Sequence, residues 1–433
     1  MATIGDVIRE ITKEEKYVLK KIYEMRCLSK KQIIEVFDIQ GELDNANILN
    51  TVEDSLNKFL KDEVIEEVAY ADLPEVYFLT TLGINVVRYV YNLPTNIYDS
   101  KKRVVKRGYY RAGELKMAAK NINHQLHLNQ FVIDFLKENK NVSWKYEDEK
   151  HMETFTNIRP DGLITIYDTY FFIETDMNTE SKKQLADKWQ NYRRFLNSRE
   201  YFYLERKVVV LFVIENTNNP QNRIDLVKHT VFENIIDMFD AHFEMYVDTR
   251  ENLLKIMNDK IIPSVRDEYS KKDKMKKQFI KNGFKVTEGE LIKTYLHDTE
   301  YDYYVRKVDK NGNIVVENGK LQEFLVAEFF DKPVSTLNKI AYLDFNNSHF
   351  SEVFNRNISL IVIGDNEEEI YRDLKIGGLL GTRSIYFTTL ERLETKPFYL
   401  ALFQIDFLGN VHSFKNSGLN ETVFETRLEK FKE

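Results

Sequence analysis

Apolar residues recur at helical spacing over the first forty residues of the chain. A first helix is predicted over residues 11–25, because its apolar positions recur every three or four residues, at Val18, Leu19, Ile22 and Met25. Ser29 and Gln32 have the spacing of a capping box, in which each side chain binds the other residue's backbone N–H. A second helix is therefore predicted to begin at Ser29 and to end before Gly41.

The next fifty residues predict a third helix, two strands and a further helix. The third helix runs from about Asn45 to Lys61, and residues 64–70 and 76–79 have the composition of strands. Three helices followed by a strand, a turn and a second strand are typical of a winged helix-turn-helix. The segment Tyr77-Phe78-Leu79-Thr80-Thr81-Leu82-Gly83 resembles the end of the wing in bacterial winged-helix proteins. We expect this domain to cover residues 1–95.

Two groups of residues in this part of the chain suit DNA. Asparagine can pair with adenine edges and lysine with phosphates. On the third helix, the residues that lie off its apolar stripe are Asn45, Asn47, Asn50, Thr51 and Lys58. A polar connector over residues 95–112 adds Lys101, Lys102, Arg103, Lys106, Arg107 and Arg111. The wing tip is a further predicted backbone contact, whereas Glu53 and Asp54 on the third helix repel phosphates. Many winged helices bind protein instead, so that alternative stays open.

From residue 110 onward, predicted strands alternate with predicted helices, which indicates an α/β fold. We expect one α/β domain over residues 110–255 and another over residues 283–433, joined by a charged helical segment. That segment carries a second lysine cluster, residues 271–277, which fits either a solvated linker or a basic patch. Residues 208–253 and 358–393 share the order strand, turn, helix, strand, threonine, helix. The last domain is thus either a degenerate copy of the middle one or an unrelated α/β domain.

The middle domain contains a pair of acidic positions typical of nucleases. Arg159-Pro160-Asp161-Gly162 precedes one strand, and Glu174 and Asp176 end the next, which resembles the PD-(D/E)XK nuclease core. Carboxylate oxygens of Asp161, Glu174 and Asp176 are suitable ligands for Mg²⁺ or Mn²⁺. Asp176 stands where that core has a catalytic lysine. Lys188, on the edge of the next predicted helix, is the best substitute, with Lys182 and Lys183 as alternatives, so the predicted catalytic set is Asp161, Glu174 and Lys188.

The order of these motifs resembles one family. A basic connector, His124-Gln125-Leu126-His127-Leu128-Asn129, Arg-Pro-Asp-Gly and Phe172-Ile173-Glu174-Thr175-Asp176 follow the predicted winged helix, as in the replication-relaxation family. The resemblance covers roughly residues 11–255. It implies a role in the replication and DNA relaxation of plasmids and related elements. His124 is either a proton carrier near the carboxylates or a structural histidine at a helix start.

Composition narrows the functional classes. The net charge of −7 does not exclude DNA binding, because clustering of cations matters more than their sum. The single cysteine, Cys27, excludes a disulfide within the chain and fits the cytoplasm, and no segment has the length of a signal peptide or a membrane span. No Walker loop or His-x-His pair is present.

We therefore predict a DNA-binding accessory protein of plasmid or phage replication. Its expected partners are double-stranded DNA, other replication proteins and a second copy of itself, with no membrane. The alternatives are an Mg²⁺- or Mn²⁺-dependent endonuclease or nickase that relaxes supercoiled DNA, and an inactive interaction scaffold.

Overall fold

The computed structural model divides the chain into two compact units. Unit 1 comprises residues 1–166 and 172–177, and unit 2 comprises residues 167–171 and 178–433. The structure describes residues 3–39, 45–98, 102–149, 155–215, 219–266, 268, 270–293, 298–317, 320–353, 358–382, 384–414 and 424–427. The predicted mixed α/β class is confirmed. The predicted division into three domains stays a prediction. No helix among the described residues is long and apolar enough to cross a membrane.

The N-terminal part of unit 1 consists of helices around a small sheet. Its elements are α1 (Ile4–Glu10), α2 (Lys13–Glu24), β1 (Leu28–Ser29), α3 (Lys30–Ile39), α4 (Asn45–Lys61), β2 (Ile65–Val68), β3 (Val76–Leu79) and α5 (Thr81–Val90). The three strands form an antiparallel sheet in the order β1-β3-β2. The predicted apolar stripe of α2, from Val18 to Met25, is buried. Gly41, the predicted end of the second helix, lies outside the described residues.

Local hydrogen bonds explain where two of these helices begin. Ser29 Oγ accepts the N–H of Gln32 at 3.3 Å, and Gln32 Oε1 accepts the N–H of Ser29 at 3.2 Å, so the predicted capping box is confirmed. Thr80 Oγ1 accepts the N–H of Gly83 at the start of α5. A Cβ on Gly83 would lie 2.2 Å from the carbonyl oxygen of Val64. The Leu-Thr-Thr-Leu-Gly segment therefore needs glycine where α5 meets the sheet.

The rest of unit 1 begins with a hairpin where the sequence analysis placed only a connector. Its elements are β4 (Asn96–Tyr98), β5 (Val104–Arg107), α6 (Ala112–Leu115), α7 (Ala119–Glu138), β6 (Trp144–Asp148), β7 (Gly162–Ile166) and part of β8 (Thr169–Asp176). β4 and β5 pair antiparallel, and so do β6 and β7. No strands were expected over residues 95–112, because these two strands are short and lie among Gly, Pro and charged residues. Whether the segment connects two domains stays a prediction.

Unit 2 begins with alternating helices and strands. These are α8 (Lys182–Leu196), α9 (Arg199–Phe202), β9 (Lys207–Ile214), α10 (Pro220–Ile235), β10 (Phe243–Thr249), α11 (Arg250–Ile256), α12 (Ile262–Val265) and α13 (Ser270–Lys281). The residues of β8 are divided between the two units, with residues 169–171 in unit 2 and residues 172–176 in unit 1. β9 and β10 are parallel, with Val208 opposite Phe243. Both strands are almost wholly buried, as parallel strands covered by helices require.

The C-terminal part of unit 2 is built on an eight-stranded sheet. Its strands are β11 (Phe284–Lys293), β12 (Asp298–Lys307), β15 (Glu323–Glu328), β16 (Ser359–Gly364), β17 (Ile385–Thr389), β18 (Phe403–Ile405), β19 (Val411–Phe414) and β20 (Phe424–Arg427), in that order across the sheet. A separate pair is β13 (Val316–Glu317) with β14 (Lys320–Leu321). The helices are α14 (Pro333–Phe345), α15 (Asn347–Val353), α16 (Glu367–Ile376), α17 (Leu390–Thr395) and α18 (Phe398–Ala401).

The two halves of unit 2 share an order of elements. β9, α10, β10 and α11 form a parallel strand-helix-strand unit followed by a helix, and Thr249 directly precedes that helix. β16, α16, β17 and α17 do the same, with Thr389 before the last helix. The element order foreseen from the sequence is therefore present. That the second half is a degenerate copy of the first stays a prediction.

Lysines of the second cluster turn toward carboxylates of unit 2. Lys271 Nζ lies 2.5 Å from Asp365, and Lys272 Nζ lies 3.1 Å from Glu328. Asp302 is buried and binds Lys339 at 2.8 Å and Lys332 at 3.0 Å. Burial opposes ionisation of Asp302, but the two lysines outweigh it and lower its pKa. The positive charge of these lysines is therefore paired with carboxylates inside the fold and is not available to DNA.

A buried carboxylate joins the two halves of unit 2. Glu244 lies on β10, and its oxygens accept the N–H groups of Val334 at 3.2 Å and Ser335 at 3.1 Å, at the start of α14. It also accepts the Ser335 hydroxyl at 2.8 Å. A strand of one half thus supplies the cap for a helix of the other. Burial raises the pKa of Glu244 to about 7, although these donors favour the ionised form.

Replacing Glu244 should remove a pH dependence of stability. Its pKa rises from 4.5 to about 7 on folding, so its contribution is complete below pH 4.5 and is lost as the pH rises through 7. We expect the wild-type free energy of unfolding to fall by about 3 kcal/mol over this range, at ~1.4 kcal/mol per pKa unit. Urea unfolding of Glu244→Gln should lack this fall. Glu251→Gln, which changes an exposed carboxylate on α11, is the control and should keep it. An unchanged pH profile in Glu244→Gln would contradict the assignment.

Candidate nucleic-acid interface and acidic site

The exposed face of α4 is mainly polar and carries two asparagines. Asn50 is exposed and Thr51 is half-buried, whereas the side chains of Asn45 and Asn47 lie outside the described residues. The sequence analysis missed Asn57, which is exposed on the same stripe as Asn50, seven residues away. A search of the predicted helix for polar residues two helical turns apart could have found it. Asp54 is exposed between them and keeps the face from being basic.

Lys58, a predicted phosphate contact, is engaged within unit 1. Its Nζ donates to the carbonyl oxygen of Glu10 at 2.8 Å and lies 3.3 Å from Glu15 Oε2. Lys30 likewise lies 2.6 Å from Glu53 across α3 and α4. A lysine so held must exchange partners before it can bind a phosphate. Its role in DNA binding stays a prediction.

The loop between β2 and β3 does not suit the phosphate-binding role expected of a wing tip. From Ile65 to Glu75 the chain contains Glu66, Glu67, Asp72 and Glu75 but no lysine or arginine. Glu67, Asp72 and Glu75 are exposed. The carboxylates of this loop would repel DNA phosphates, so the loop disfavours contact with the DNA backbone.

The hairpin of β4 and β5 carries the basic surface of unit 1. The described cations on or beside it are Lys102, Arg103, Lys106 and Arg107, while Lys101 lies outside the described residues. Lys102 and Arg103 are exposed. Arg111, the last predicted cation, directly precedes α6, where its backbone N–H donates to Glu114 at 2.6 Å. These cations fall on a defined element next to α5 in the chain, rather than on a flexible linker.

Three contacts fix the base of the hairpin. The guanidinium of Arg88 on α5 stacks 3.6 Å from the ring centre of Tyr109. Arg107 forms an ion pair with Glu114 at 2.9 Å. A Cβ on Gly108 would lie 2.1 Å from the carbonyl oxygen of Pro94, so the two chain ends pass at a distance that only glycine permits.

Tyr109 and Tyr110 both make structural contacts, Tyr109 with Arg88 and Tyr110 with Asp148. Tyr110 is buried, and its hydroxyl donates to Asp148 at the end of β6. Burial and the Asp148 carboxylate raise the pKa of Tyr110. A buried phenol that donates to a carboxylate is a poor nucleophile, which argues against a DNA-linking role. Cys27 is likewise buried, and burial raises its pKa to about 12, as expected of a core residue.

Asp161 lies at the start of β7, where unit 1 holds it by three hydrogen bonds. Its N–H donates to the carbonyl of Ile173 at 3.0 Å, and its Oδ2 accepts the N–H of Thr175 at 2.7 Å. His124 on α7 approaches the same oxygen, with Nε2 at 3.0 Å. The structure thus brings together three predicted neighbours: Asp161, the strand that carries Glu174, and His124. Both Asp161 and His124 are partly exposed, at 26% and 35% of their side chains.

The other predicted site residues are placed differently. Glu174 and Asp176 are buried at 5% and 1% exposure. Lys188 belongs to unit 2, where its Nζ lies 3.1 Å from Glu180. Among the described residues, no three His, Cys, Asp or Glu side chains are arranged to hold a metal ion. Mg²⁺ or Mn²⁺ binding stays a prediction.

The sequence analysis also missed Tyr146, a buried residue beside the acidic site. Within the described residues its hydroxyl has no hydrogen-bond partner, and it lies 3.3 Å from where a Cβ on Gly162 would stand. Burial and the carboxylates of Asp148 and Asp161 raise its pKa well above 10. One of 25 tyrosines carries no signal in the sequence, so only the fold could reveal it.

These features define a mixed α/β protein with a helical N-terminal part, a basic hairpin and a partly buried acidic site. Residues 19–208 match the model of the replication-relaxation family, which confirms the resemblance predicted from the sequence. The match includes α4, the hairpin, Asp161 and Glu174, and ends at the beginning of β9. Neither the curated proteins nor the solved structures contain a match to the chain.

Substitution of Gly108 should destabilise unit 1. In Gly108→Ala the new methyl group meets the Pro94 carbonyl, and we expect a loss of about 1–3 kcal/mol as the backbone shifts. Gly113→Ala, in α6, is the matched control because nothing lies within 4 Å of its added Cβ. Urea unfolding followed by circular dichroism compares the two. Equal stabilities would show that the hairpin base is not tightly packed.

Proposed function

We propose that the protein is a DNA-binding accessory factor for the replication or maintenance of a plasmid or phage. The observation that carries the proposal is the order α2, β1, α3, α4, β2, β3 around the sheet β1-β3-β2. This is the order of a winged helix-turn-helix, in which the third helix reads the major groove. The match of residues 19–208 to the replication-relaxation family supports a replication context.

In this proposal, α4 and the hairpin divide the work of binding. Asn50 and Asn57 on the exposed face of α4 present amides that suit adenine edges. The cations of the hairpin supply the phosphate contacts that the acidic wing cannot. Contacts with phosphates fix the register of a protein on DNA, whereas contacts with bases give the sequence preference. The hairpin should therefore set affinity and α4 should set specificity.

Removing two hairpin lysines should weaken DNA binding and its dependence on salt. We expect Lys102→Ala/Lys106→Ala to lower the slope of log K against log salt by about 2, at ~0.9 per phosphate contact. Fluorescence anisotropy with duplex DNA over a range of salt measures this slope. Lys255→Ala/Lys274→Ala removes the same charge from exposed positions of unit 2 and should change it little. No binding of the wild type at low salt would contradict the proposal and favour an interaction scaffold.

Endonuclease or nickase activity is a second candidate, which the geometry around Asp161 favours. Asp161 is partly exposed and lies at one end of β7. Its carboxylate contacts His124 and the backbone of the strand that carries Glu174, so several polar groups meet there. If the site cuts DNA, supercoiled plasmid should become nicked with Mg²⁺ or Mn²⁺ present, and Asp161→Ala and Glu174→Ala should abolish nicking. Absence of nicking by the wild type, with DNA binding intact, would exclude this candidate.

A further inference from the structure

The last paired positions of the hairpin carry two exposed apolar side chains. Tyr98 on β4 and Val104 on β5 are direct cross-strand partners. They are 58% and 57% exposed, which is unusual for large apolar residues at neighbouring positions. Side chains opposite each other in an antiparallel pair lie on the same face of the ribbon. Tyr98 and Val104 therefore form one apolar surface at the described end of the hairpin, which we call the apolar tip.

Positive charge surrounds the apolar tip. Lys106 pairs with Ile97, one position before Tyr98, so across the irregularity it lies on the other face of the ribbon. Lys102 and Arg103 directly precede Val104 and are exposed. From Asn96 to Arg107 the sequence has one carboxylate, Asp99, against the five cations Lys101, Lys102, Arg103, Lys106 and Arg107. This excess of positive charge is complementary to a polyanion, and it argues against burial of the tip in an apolar protein core.

Several contacts hold the base of the hairpin in place. The Arg88–Tyr109 stack, the Arg107–Glu114 ion pair and the close approach at Gly108 all lie at its base. The register shifts between Ile97 and Tyr98, so an irregularity falls directly below the tip. Irregularities of this kind bend a ribbon and redirect its side chains. A fixed base and a bent end suit a ribbon that enters a groove.

We infer that the hairpin enters the minor groove of duplex DNA and bends it, with Tyr98 and Val104 against a base step. Apolar side chains that enter between base pairs unstack them and kink the duplex, while neighbouring cations hold the two phosphate backbones. The tip supplies the first feature, and Lys102, Arg103 and Lys106 supply the second. This inference rests on the proposed DNA binding and adds an activity to it, the deformation of DNA. Flexible pyrimidine–purine steps should be preferred, because they cost least to unstack.

Bending and binding can be measured separately on the full chain. A duplex much shorter than the persistence length of about 150 base pairs, with a donor and an acceptor dye at its ends, reports bending by energy transfer. Anisotropy of the same duplex reports binding. We expect the wild type to increase energy transfer and Tyr98→Ser/Val104→Ser to abolish most of that increase. Binding by this variant should weaken by roughly tenfold or less, since its cations remain.

Control variants test whether the loss of bending is specific to the apolar tip. Tyr89→Ser/Val316→Ser changes a tyrosine that is 73% exposed and a valine that is 58% exposed, neither of which belongs to the hairpin. This variant should bend DNA as the wild type does. Lys102→Ala/Lys106→Ala should weaken binding, yet at saturating protein it should retain the bend.

The possible outcomes distinguish the bending of DNA from the proposed binding of DNA. Loss of bending in the tip variant alone, with binding retained, supports the inference. If the wild type binds DNA but leaves it straight, or if the tip variant bends it fully, the inference is overturned while DNA binding stands. If the wild type does not bind at low salt, both the proposed function and the inference fail.

Discussion

The close approach of Gly108 to the Pro94 carbonyl is the constraint on which the proposed interface depends. A side chain at this position would meet a backbone oxygen at 2.1 Å, so the chain can turn from the hairpin toward α6 only because glycine stands there. Tyr109 then follows directly and reaches the guanidinium of Arg88. The steric requirement for glycine at position 108 thus places the basic residues of β5 next to α5. Without it, the same cations would belong to a loosely held segment with a much larger entropic cost of binding.

Charge is distributed unevenly over the chain, so a net charge of −7 is compatible with the proposed binding of DNA. The loop between β2 and β3 and part of α4 are acidic, whereas the hairpin is basic. Many lysines of unit 2 neutralise buried or partly buried carboxylates, as Lys272 and Lys339 do for Glu328 and Asp302. Counting cations in the sequence therefore overestimates the charge available to a ligand. Only the fold shows which cations already have partners inside the protein.

Much of the fold could be predicted from the sequence because local patterns determine it. The bounds of α4 follow from its apolar stripe, and the capping box at Ser29 follows from side-chain spacing. The β4–β5 hairpin could not be predicted, since its strands are short and its stability comes from contacts with α5 and α6. The proximity of His124 and Asp161 was foreseen as one of two alternatives. The ion pair of Lys188 with Glu180 and the buried hydroxyl of Tyr146 depend on tertiary packing, which spacing along the chain does not encode.

The cap that Glu244 provides for α14 has a consequence for how unit 2 could have evolved. A module that is copied and exchanged between proteins normally keeps its own helix caps. Here the carboxylate is on β10 and the N–H groups that it accepts are on α14, about ninety residues later. A fragment that ended before β11 would leave a carboxylate in an apolar setting, and the complementary fragment would begin with an uncapped helix. Each half therefore depends on the other for this contact, so recombination between them should be tolerated only when both sides of it are inherited together.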